Sequence, residues 1–235
     1  MQIRRFYVNL SDIDGDMVVI NNDEYSHICN VLRYKVGYEV IICANDGCER
    51  YGKVVEITPS VVIVKVHKVV EVAKRDFEID LYCGLLNNNK LDYTIQKCTE
   101  LGVNQIVPVL FHNCDEKKFN LERAQKISKE AAKQCKAVSI PDILDLHGYD
   151  EFINQLDKYE NVVFAYENAK DGKINQQKLG MKIAIVIGPE GGFTEQEYKG
   201  ISRFGESVTL GKRILRAETA ATVATTLVLQ NKGEL

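Results

Sequence analysis

The chain has 235 residues, of which 45% are hydrophobic and 27% are charged, and its formal net charge is -3. This composition excludes a disordered chain and is typical of a globular protein with one large core or two smaller ones. The net charge excludes a uniformly basic surface, so any contact with nucleic acid must come from a local patch.

Cysteine, histidine and apolar patterns exclude several other classes. The seven cysteines are dispersed and form no Cys-x-x-Cys pair, so we expect reduced, buried thiols and neither a disulfide framework nor a zinc site. The histidines are widely separated and lack acids at ligand spacing, which predicts no metal. No apolar signal core and no run of about 18 apolar residues occurs. We therefore expect a soluble cytoplasmic protein without a membrane contact.

Short β-type runs separated by turn signals fill the first 70 residues. Asn45-Asp46-Gly47 and Thr58-Pro59-Ser60 are such signals, and many short strands with tight turns favour a small β-barrel. One helix is predicted over 23–33, where Ile28, Val31 and Leu32 share helical spacing. The predicted strands cover 5–8, 17–20, 39–43, 49–57 and 61–70.

Basic and aromatic residues adjoin at the start of the first strand. Arg4 and Arg5 beside Phe6 and Tyr7 could pair phosphate contacts with base stacking. A strand edge kept soluble by charge explains the same residues equally well. Both interpretations stay open on the sequence.

From residue 73 onward strands and helices alternate, which predicts a parallel sheet with helices on both faces. We place the domain boundary here, giving domains 1–72 and 73–235. A polar loop is predicted around Asp171-Gly172. The predicted strands cover 77–83, 103–110, 161–166, 182–187 and 207–210, and the helices cover 90–101, 120–136, 150–159, 194–204 and 217–230.

A lysine stripe marks the helix predicted at 120–136. Lys126, Lys129, Lys133 and Lys136 recur at intervals of three, four and three residues, and only Glu122 and Glu130 accompany them among acids. A solvated surface and a contact with an RNA backbone are both compatible with this pattern.

The most informative stretch follows the apolar strand 182–187. Gly188-Pro189-Glu190-Gly191-Gly192 forms a turn in which backbone can lie against a ligand, and Thr194 with Glu197 has the spacing of a capping box. The stretch lacks the patterns of a Walker loop and of a dinucleotide-binding loop. Because the Glu190 carboxylate would repel a phosphate, a ligand with adenine or ribose edges and a positive centre fits better.

A second loop completes a recognisable pair of motifs. Gly188-Pro189-Glu190-Gly191-Gly192 together with Leu210-Gly211-x-Arg213-Ile214-Leu215-Arg216-x-Glu218-Thr219-Ala220 resembles the signature of the RsmE family, SPOUT-class methyltransferases. The resemblance covers nearly the whole chain. It implies transfer of a methyl group from S-adenosyl-L-methionine to N3 of a uridine in 16S ribosomal RNA of the small ribosomal subunit. It also implies an α/β fold: a C-terminal SPOUT domain with a trefoil knot, an N-terminal PUA-like β-barrel, and a homodimer.

The resemblance also assigns the cofactor to the backbone edges of the two loops, and no metal is needed for this chemistry. The residues so assigned are Ile187, Gly188, Pro189, Glu190, Gly191, Gly192, Leu210, Gly211, Ile214, Leu215 and Ala217.

Catalysis is assigned to Arg216 and Glu218. Uracil N3 carries a proton that must leave, and it lies on the Watson-Crick edge, so the target base has to be unpaired. Arg216 would orient the uridine or stabilise its developing charge. Glu218 would act as a base or hold Arg216 in a salt bridge, and we favour the salt bridge, because a paired carboxylate is a weaker base. A helix N-terminus capped by a local ion pair is the structural alternative.

The surface that faces RNA is the least determined part of the sequence. Asn113 and Ala137 stand where the family leads one to expect arginines, which leaves the RNA contacts open. A SPOUT methyltransferase acting on another RNA position, and a non-catalytic RNA-binding protein with the same fold, remain alternatives. The residues assigned to RNA, among them the two that match the family's His-x-x-x-Val-Leu-Arg element, are Arg4, Arg5, His27, Arg33, Lys129, Lys133 and Arg213.

Overall fold

The structure is a computed structural model that describes residues 3–169 and 172–235. It consists of two compact units. The first comprises Met1–Lys74 with Ala132–Ile140, and the second comprises Arg75–Ala131 with Pro141–Leu235. The functional boundary between residues 72 and 73 stays a prediction. Asp171, in the predicted polar loop, lies outside the described residues.

A six-stranded mixed sheet forms the first unit, in the order β1-β4-β5-β6-β3-β2. Strand β1 runs parallel to β4, and the other pairs are antiparallel. Val62, Val64 and Val66 of β6 are buried and alternate with more exposed residues, as expected for a sheet with one face in a core. The strands are β1 Arg4–Tyr7, β2 Ile13–Asp14, β3 Met17–Ile20, β4 Glu39–Cys43, β5 Cys48–Ile57 and β6 Val62–Glu71.

The helix predicted at 23–33 exists, but only its first half is an α-helix. Helix α1 covers Asn22–Ser26 and continues into a π-helical turn at His27–Val31. Within this turn the Leu32 amide donates to the His27 carbonyl at 3.0 Å, which is an i to i+5 bond. Arg33 then leaves the helix with a φ of 54°.

The second unit contains a seven-stranded sheet in which every pairing is parallel. Its order is β10-β8-β7-β12-β11-β13, and β9 also pairs with β8. Strand β12 lies between β7 and β11, which explains its continuous aliphatic sequence. The predicted parallel α/β sheet is therefore confirmed. The strands are β7 Glu78–Gly84, β8 Gln105–Leu110, β9 Asp142–Ile143, β10 His147–Gly148, β11 Asn161–Ala165, β12 Lys182–Ile187 and β13 Gly205–Val208.

Helices α2 to α6 follow β7 in the chain, and two predictions about these helices need correction. The helix predicted at 150–159 is broken into α4 and a 3-10 turn at Leu156–Lys158. The helix predicted to reach residue 204 stops at Ile201, and β13 begins at Gly205, earlier than predicted. The trefoil knot stays a prediction. The helices are α2 Asn88–Glu100, α3 Leu121–Cys135, α4 Tyr149–Ile153, α5 Glu195–Ile201 and α6 Ala217–Asn231.

All seven cysteines are free thiols. Four of them are buried as predicted, whereas Cys135 near the end of α3 is exposed. Among residues 3–169 and 172–235, no helix is long and apolar enough to cross a membrane.

Candidate active site

A pocket of about 620 Å³ lies at the edge of the sheet where the carboxyl ends of β11, β12 and β13 meet. The glycine turn after β12 and the loop after β13 both line it, as do Tyr166 and Glu167 after β11. Every residue that the sequence assigned to the cofactor lies on this lining, together with Arg213, Arg216 and Glu218. The geometry thus brings the two motifs together, while the role of each residue stays a prediction.

The glycine turn is tightly packed on its protein side. A Cβ on Gly188 would stand 3.1 Å from the Phe193 ring, and one on Gly84 would stand 2.5 Å from the Pro189 nitrogen. Gly192 has a φ of 68°, and its amide donates to the Pro189 carbonyl at 2.9 Å. Glycine is required here by both space and backbone conformation.

A buried carboxylate fixes the end of this turn. Glu197 of α5 is 5% exposed, and it accepts hydrogen bonds from the Thr194 amide at 2.8 Å and the Thr194 hydroxyl at 2.9 Å. The predicted capping box is therefore confirmed. Glu197 also accepts a bond of 2.7 Å from the His112 amide, which ties the loop after β8 to the same point.

That loop delivers Asn113 to the glycine turn. The Asn113 side-chain amide donates to the carbonyl oxygens of Gly191 at 3.2 Å and Gly192 at 3.1 Å. In the sequence, Asn113 was notable only because the family leads one to expect an arginine at this position. In the structure it is a positioning residue of the turn.

The glycine turn does not carry the uncompensated negative charge that the sequence led us to expect. Glu190 forms an ion pair with Lys90, in the first turn of α2, and both residues line the pocket. The carboxylate is therefore compensated, and it no longer argues against a phosphate as the sequence suggested. Nothing in the sequence near Glu190 points to a lysine one hundred positions earlier.

Arg216 and Glu218 lie at the start of α6 but do not form the predicted salt bridge. Arg216 is the N-cap residue and is exposed. Oε2 of Glu218, in the first helical turn, is buried without a hydrogen-bond partner. Among the residues that the structure describes, no ion pair joins the two side chains. The favoured role of Glu218, holding Arg216, is wrong for this structure.

Two aromatic side chains, Phe193 and Tyr166, line the pocket and pack against further rings behind it. Phe193 packs edge-on against Phe111, with ring centroids 5.1 Å apart, and against Phe164 at 6.2 Å. Tyr166 packs against Tyr198, with ring centroids 4.5 Å apart and ring planes tilted by 34°. Sequence reasoning missed Lys90, Tyr166, Glu167 and Phe193 as pocket residues. Recognising them requires the strand order, since they come from three separate segments.

In the first unit the predicted base-stacking pair is buried. Phe6 is 1% exposed and Tyr7 is 6% exposed, so neither ring can receive a base, and that interpretation is wrong. Phe6 instead packs edge-on against His27, with centroids 6.3 Å apart. Arg4 and Arg33 are exposed. Their assignment to RNA stays a prediction.

Arg5 is held inside the first unit. Its side chain is 9% exposed and forms an ion pair with Glu49. The guanidinium also donates to the Lys136 carbonyl. Close by, the Tyr7 hydroxyl donates to the Ala137 carbonyl at 2.6 Å, and burial raises the Tyr7 pKa. Arg5 has a structural role, and a contact between Arg5 and RNA stays a prediction.

The lysine stripe of α3 is not uniformly solvated. Lys126 and Lys136 are exposed, whereas Lys129 and Lys133 are partly buried. Nζ of Lys133 lies 3.0 Å from the Glu24 carboxylate, which is itself buried. The contribution of Lys129 and Lys133 to RNA binding stays a prediction. Within residues 3–169 and 172–235, no group of three or more histidine, cysteine or acidic side chains could hold a metal ion.

Two family models match the chain. Residues 73–229 match an RNA methyltransferase domain, and residues 20–66 match the PUA domain of RNA methyltransferases. With the parallel sheet and its two-loop pocket, these matches define the class of the protein as an RNA methyltransferase with an N-terminal PUA domain.

Similar proteins identify the family within this class. The chain is 32% identical to ribosomal RNA small subunit methyltransferase E of Bacillus subtilis, covering 93% of each chain. It is 30% identical to the protein of the same name from Mesomycoplasma hyopneumoniae, covering 92% of this chain and 95% of that one. A crystal structure of the Neisseria gonorrhoeae protein of that name, bound to S-adenosyl methionine, is 26% identical, with a TM-score of 0.84 and coverage of 97% and 98%. The chain belongs to the ribosomal RNA small subunit methyltransferase E family, which confirms the resemblance to RsmE.

Proposed function

We propose that this protein transfers a methyl group from S-adenosyl-L-methionine to N3 of a uridine in 16S ribosomal RNA of the small subunit. The observation that carries the proposal is the meeting of the two motif loops around one pocket. Relatives named for small-subunit ribosomal RNA methylation match over nearly the full chain, and the Neisseria relative is bound to the same cofactor.

The pocket fits an adenosyl ligand in size and lining. Its volume of about 620 Å³ lies within the range of small-molecule sites. Gly211 has a φ of 128° and open space where a Cβ would stand, so backbone on this side is accessible to a ligand. Ile187 to Gly192 and Leu210 to Leu215 would hold the cofactor by their backbone edges. When bound, S-adenosylmethionine supplies an electrophilic methyl group on a sulfonium.

Arg216 and Glu218 would act on the uracil. Arg216 is exposed and lines the pocket, and its guanidinium would orient the base and stabilise the negative charge that develops on the uracil carbonyl oxygens as the N3 proton leaves. Glu218 Oε2 has no partner within the described residues. We assign the Glu218 carboxylate, which lines the pocket, as the base that takes the proton from uracil N3, a role open to it because it does not pair with Arg216.

RNA would be held on both units. Arg213 lies on the pocket lining and is exposed, so it suits a phosphate next to the target nucleotide. Arg4, His27 and Arg33 belong to the first unit, which contains the PUA match. A ribosomal RNA substrate would place the enzyme in the cytoplasm.

The active form would be a homodimer. Ile214 is 83% exposed within the loop that lines the pocket, and a second copy would cover such an apolar side chain. Light scattering of the purified protein during size exclusion tests this assembly. A mass of one chain at micromolar concentration would contradict it.

The reaction is tested with purified protein, methyl-labelled S-adenosylmethionine and small ribosomal subunits that lack native methylation, followed by nucleoside analysis. Label recovered as 3-methyluridine supports the proposal. Label in another nucleoside would show a SPOUT enzyme acting at a different position. Tight cofactor binding without transfer would show a non-catalytic RNA-binding protein.

A further inference from the structure

The pocket contains one carboxylate, Glu167, to which neither motif assigns a role. Glu167 follows β11 by two positions, and its neighbours on either side along the sheet edge are the turn after β12 and the loop after β13. Its Oε1 stands 3.0 Å from the Cβ position of Gly192. The carboxylate therefore lies directly on the glycine turn that the proposed cofactor contacts.

The chemistry of the other two pocket carboxylates differs from that of Glu167. Glu190 is paired with Lys90, and Glu218 is partly buried at the start of α6. Glu167 is exposed to the pocket, and no cation in the described ranges pairs with it. It is thus available as a hydrogen-bond acceptor for a neutral donor.

Glu167 and Glu218 line the pocket from different structural elements. Helix α6, which begins with Ala217 and Glu218, packs against β7 and β12. Glu167 instead follows β11, the strand on the far side of β12 from β7. Glu167 therefore lines the pocket from a different strand end than Glu218, the residue that we assign to the uracil.

We propose that the Glu167 carboxylate recognises the hydroxyl pair of the adenosyl ribose. A carboxylate at the carboxyl end of a parallel strand, beside a glycine turn, is suited to accept bonds from vicinal hydroxyls, as acidic residues do for ribose in dinucleotide sites. Two O–H donors match the two oxygens of one carboxylate, and bonds to a charged acceptor are the stronger kind. The inference rests on the proposed binding of S-adenosylmethionine in this pocket.

The test measures the affinity of the full chain by calorimetry for S-adenosylhomocysteine and for its 2′-deoxy and 3′-deoxy analogues. We expect the wild-type protein to bind at least one deoxy analogue about tenfold more weakly, the size of one charge-assisted bond. Glu167→Ala should lose a similar factor with the parent ligand and should no longer distinguish the analogues. Glu167→Gln should retain part of the discrimination, because its amide oxygen still accepts. Glu122→Gln, an exposed carboxylate on α3 away from the pocket lining, is the matched control and should bind like wild type.

Other outcomes separate the inference from the proposed function. If wild type binds none of these ligands, the cofactor assignment itself fails. Wild-type affinity and undiminished discrimination in Glu167→Ala would overturn the ribose contact alone. S-Adenosylmethionine is titrated as well. If Glu167→Gln loses more affinity for S-adenosylmethionine than for S-adenosylhomocysteine, whose sulfur is uncharged, the carboxylate contacts the positive centre instead. That result would also overturn the ribose contact. Circular dichroism of each variant checks that the fold is intact.

Discussion

Asn113 holds the carbonyl oxygens of Gly191 and Gly192 with its side-chain amide, at 3.2 and 3.1 Å, while its own Cβ lies 2.9 Å from the place where a Cβ on Gly191 would stand. The loop after β8 thus both fixes the turn after β12 and leaves no room for a side chain there. Since Glu197 also accepts a hydrogen bond from the preceding amide, at His112, the loop after β8 and helix α5 together support the glycine turn that lines the pocket.

Replacing Asn113 with alanine should weaken cofactor binding while the protein stays folded. Two hydrogen bonds of about 1 kcal/mol each are removed from the turn, so we expect the dissociation constant for S-adenosylhomocysteine to rise roughly five- to thirtyfold. Calorimetric titration measures the change, with the exposed Asn175→Ala as control. Unchanged affinity would show that the turn keeps its shape without Asn113.

Gly191→Val should reduce cofactor affinity more severely. The added side chain meets both the Cβ and, at 3.1 Å, the carbonyl oxygen of Asn113, so the turn must shift out of the pocket wall. We expect a loss of about a hundredfold or more in the same titration, from a cost in the range of overpacked sites. Gly148→Ala is the control, because its Cβ would meet nothing within 4 Å. Normal binding by Gly191→Val would refute the close-backbone argument.

Substitutions of the adjacent residues Arg4 and Arg5 should affect different properties. We expect Arg5 to matter for stability and Arg4 for RNA binding. Arg5 is held by Glu49 and the Lys136 carbonyl, so Arg5→Ala should lower the free energy of unfolding by roughly 2–4 kcal/mol. Arg4 is exposed, so Arg4→Ala should leave stability within about 0.5 kcal/mol of wild type and weaken RNA binding at low salt. Urea unfolding and filter binding give the two readouts. A large loss of stability in Arg4→Ala together with unchanged stability in Arg5→Ala would contradict the structural role of Arg5.

Asp80 should make stability depend on pH. This side chain is buried in β7 and accepts a 2.6 Å hydrogen bond from the Tyr159 hydroxyl, and burial raises the Asp80 pKa despite that bond. The native protein therefore keeps the Asp80 proton to higher pH than the unfolded chain does. Its contribution to stability is present below the unfolded pKa and is lost as the pH rises through the folded one.

We therefore expect Asp80→Asn to gain stability relative to wild type as the pH rises from about 4 toward 8. Thermal unfolding of both proteins across that range measures the difference, with the exposed Asp157→Asn as control. A difference that does not change with pH would mean that the buried carboxyl does not titrate as described.

Local patterns in the sequence predicted the elements well, because each rests on neighbouring residues. The Thr194 and Glu197 capping box, the buried strand 182–187 and the pairing of two motif loops are all found in the structure. The failures concern contacts between distant segments. Strand order and backbone direction decide these contacts, and no local pattern contains them. Examples are the ion pair of Lys90 with Glu190, the hydrogen bonds from Asn113 to the glycine turn, and the absence of an ion pair between Arg216 and Glu218.

The central claim is that the two-loop pocket, with Arg216 at its edge, methylates uridine N3 in 16S ribosomal RNA. It is tested most directly by expressing the wild-type chain and Arg216→Ala in bacterial cells that lack their own enzyme, and measuring 3-methyluridine in the small-subunit RNA by mass spectrometry. We expect wild type to restore the nucleoside. Arg216→Ala should not restore it, although the purified variant should still bind S-adenosylhomocysteine. Absence of 3-methyluridine with the wild-type chain, or full restoration by Arg216→Ala, would contradict the claim.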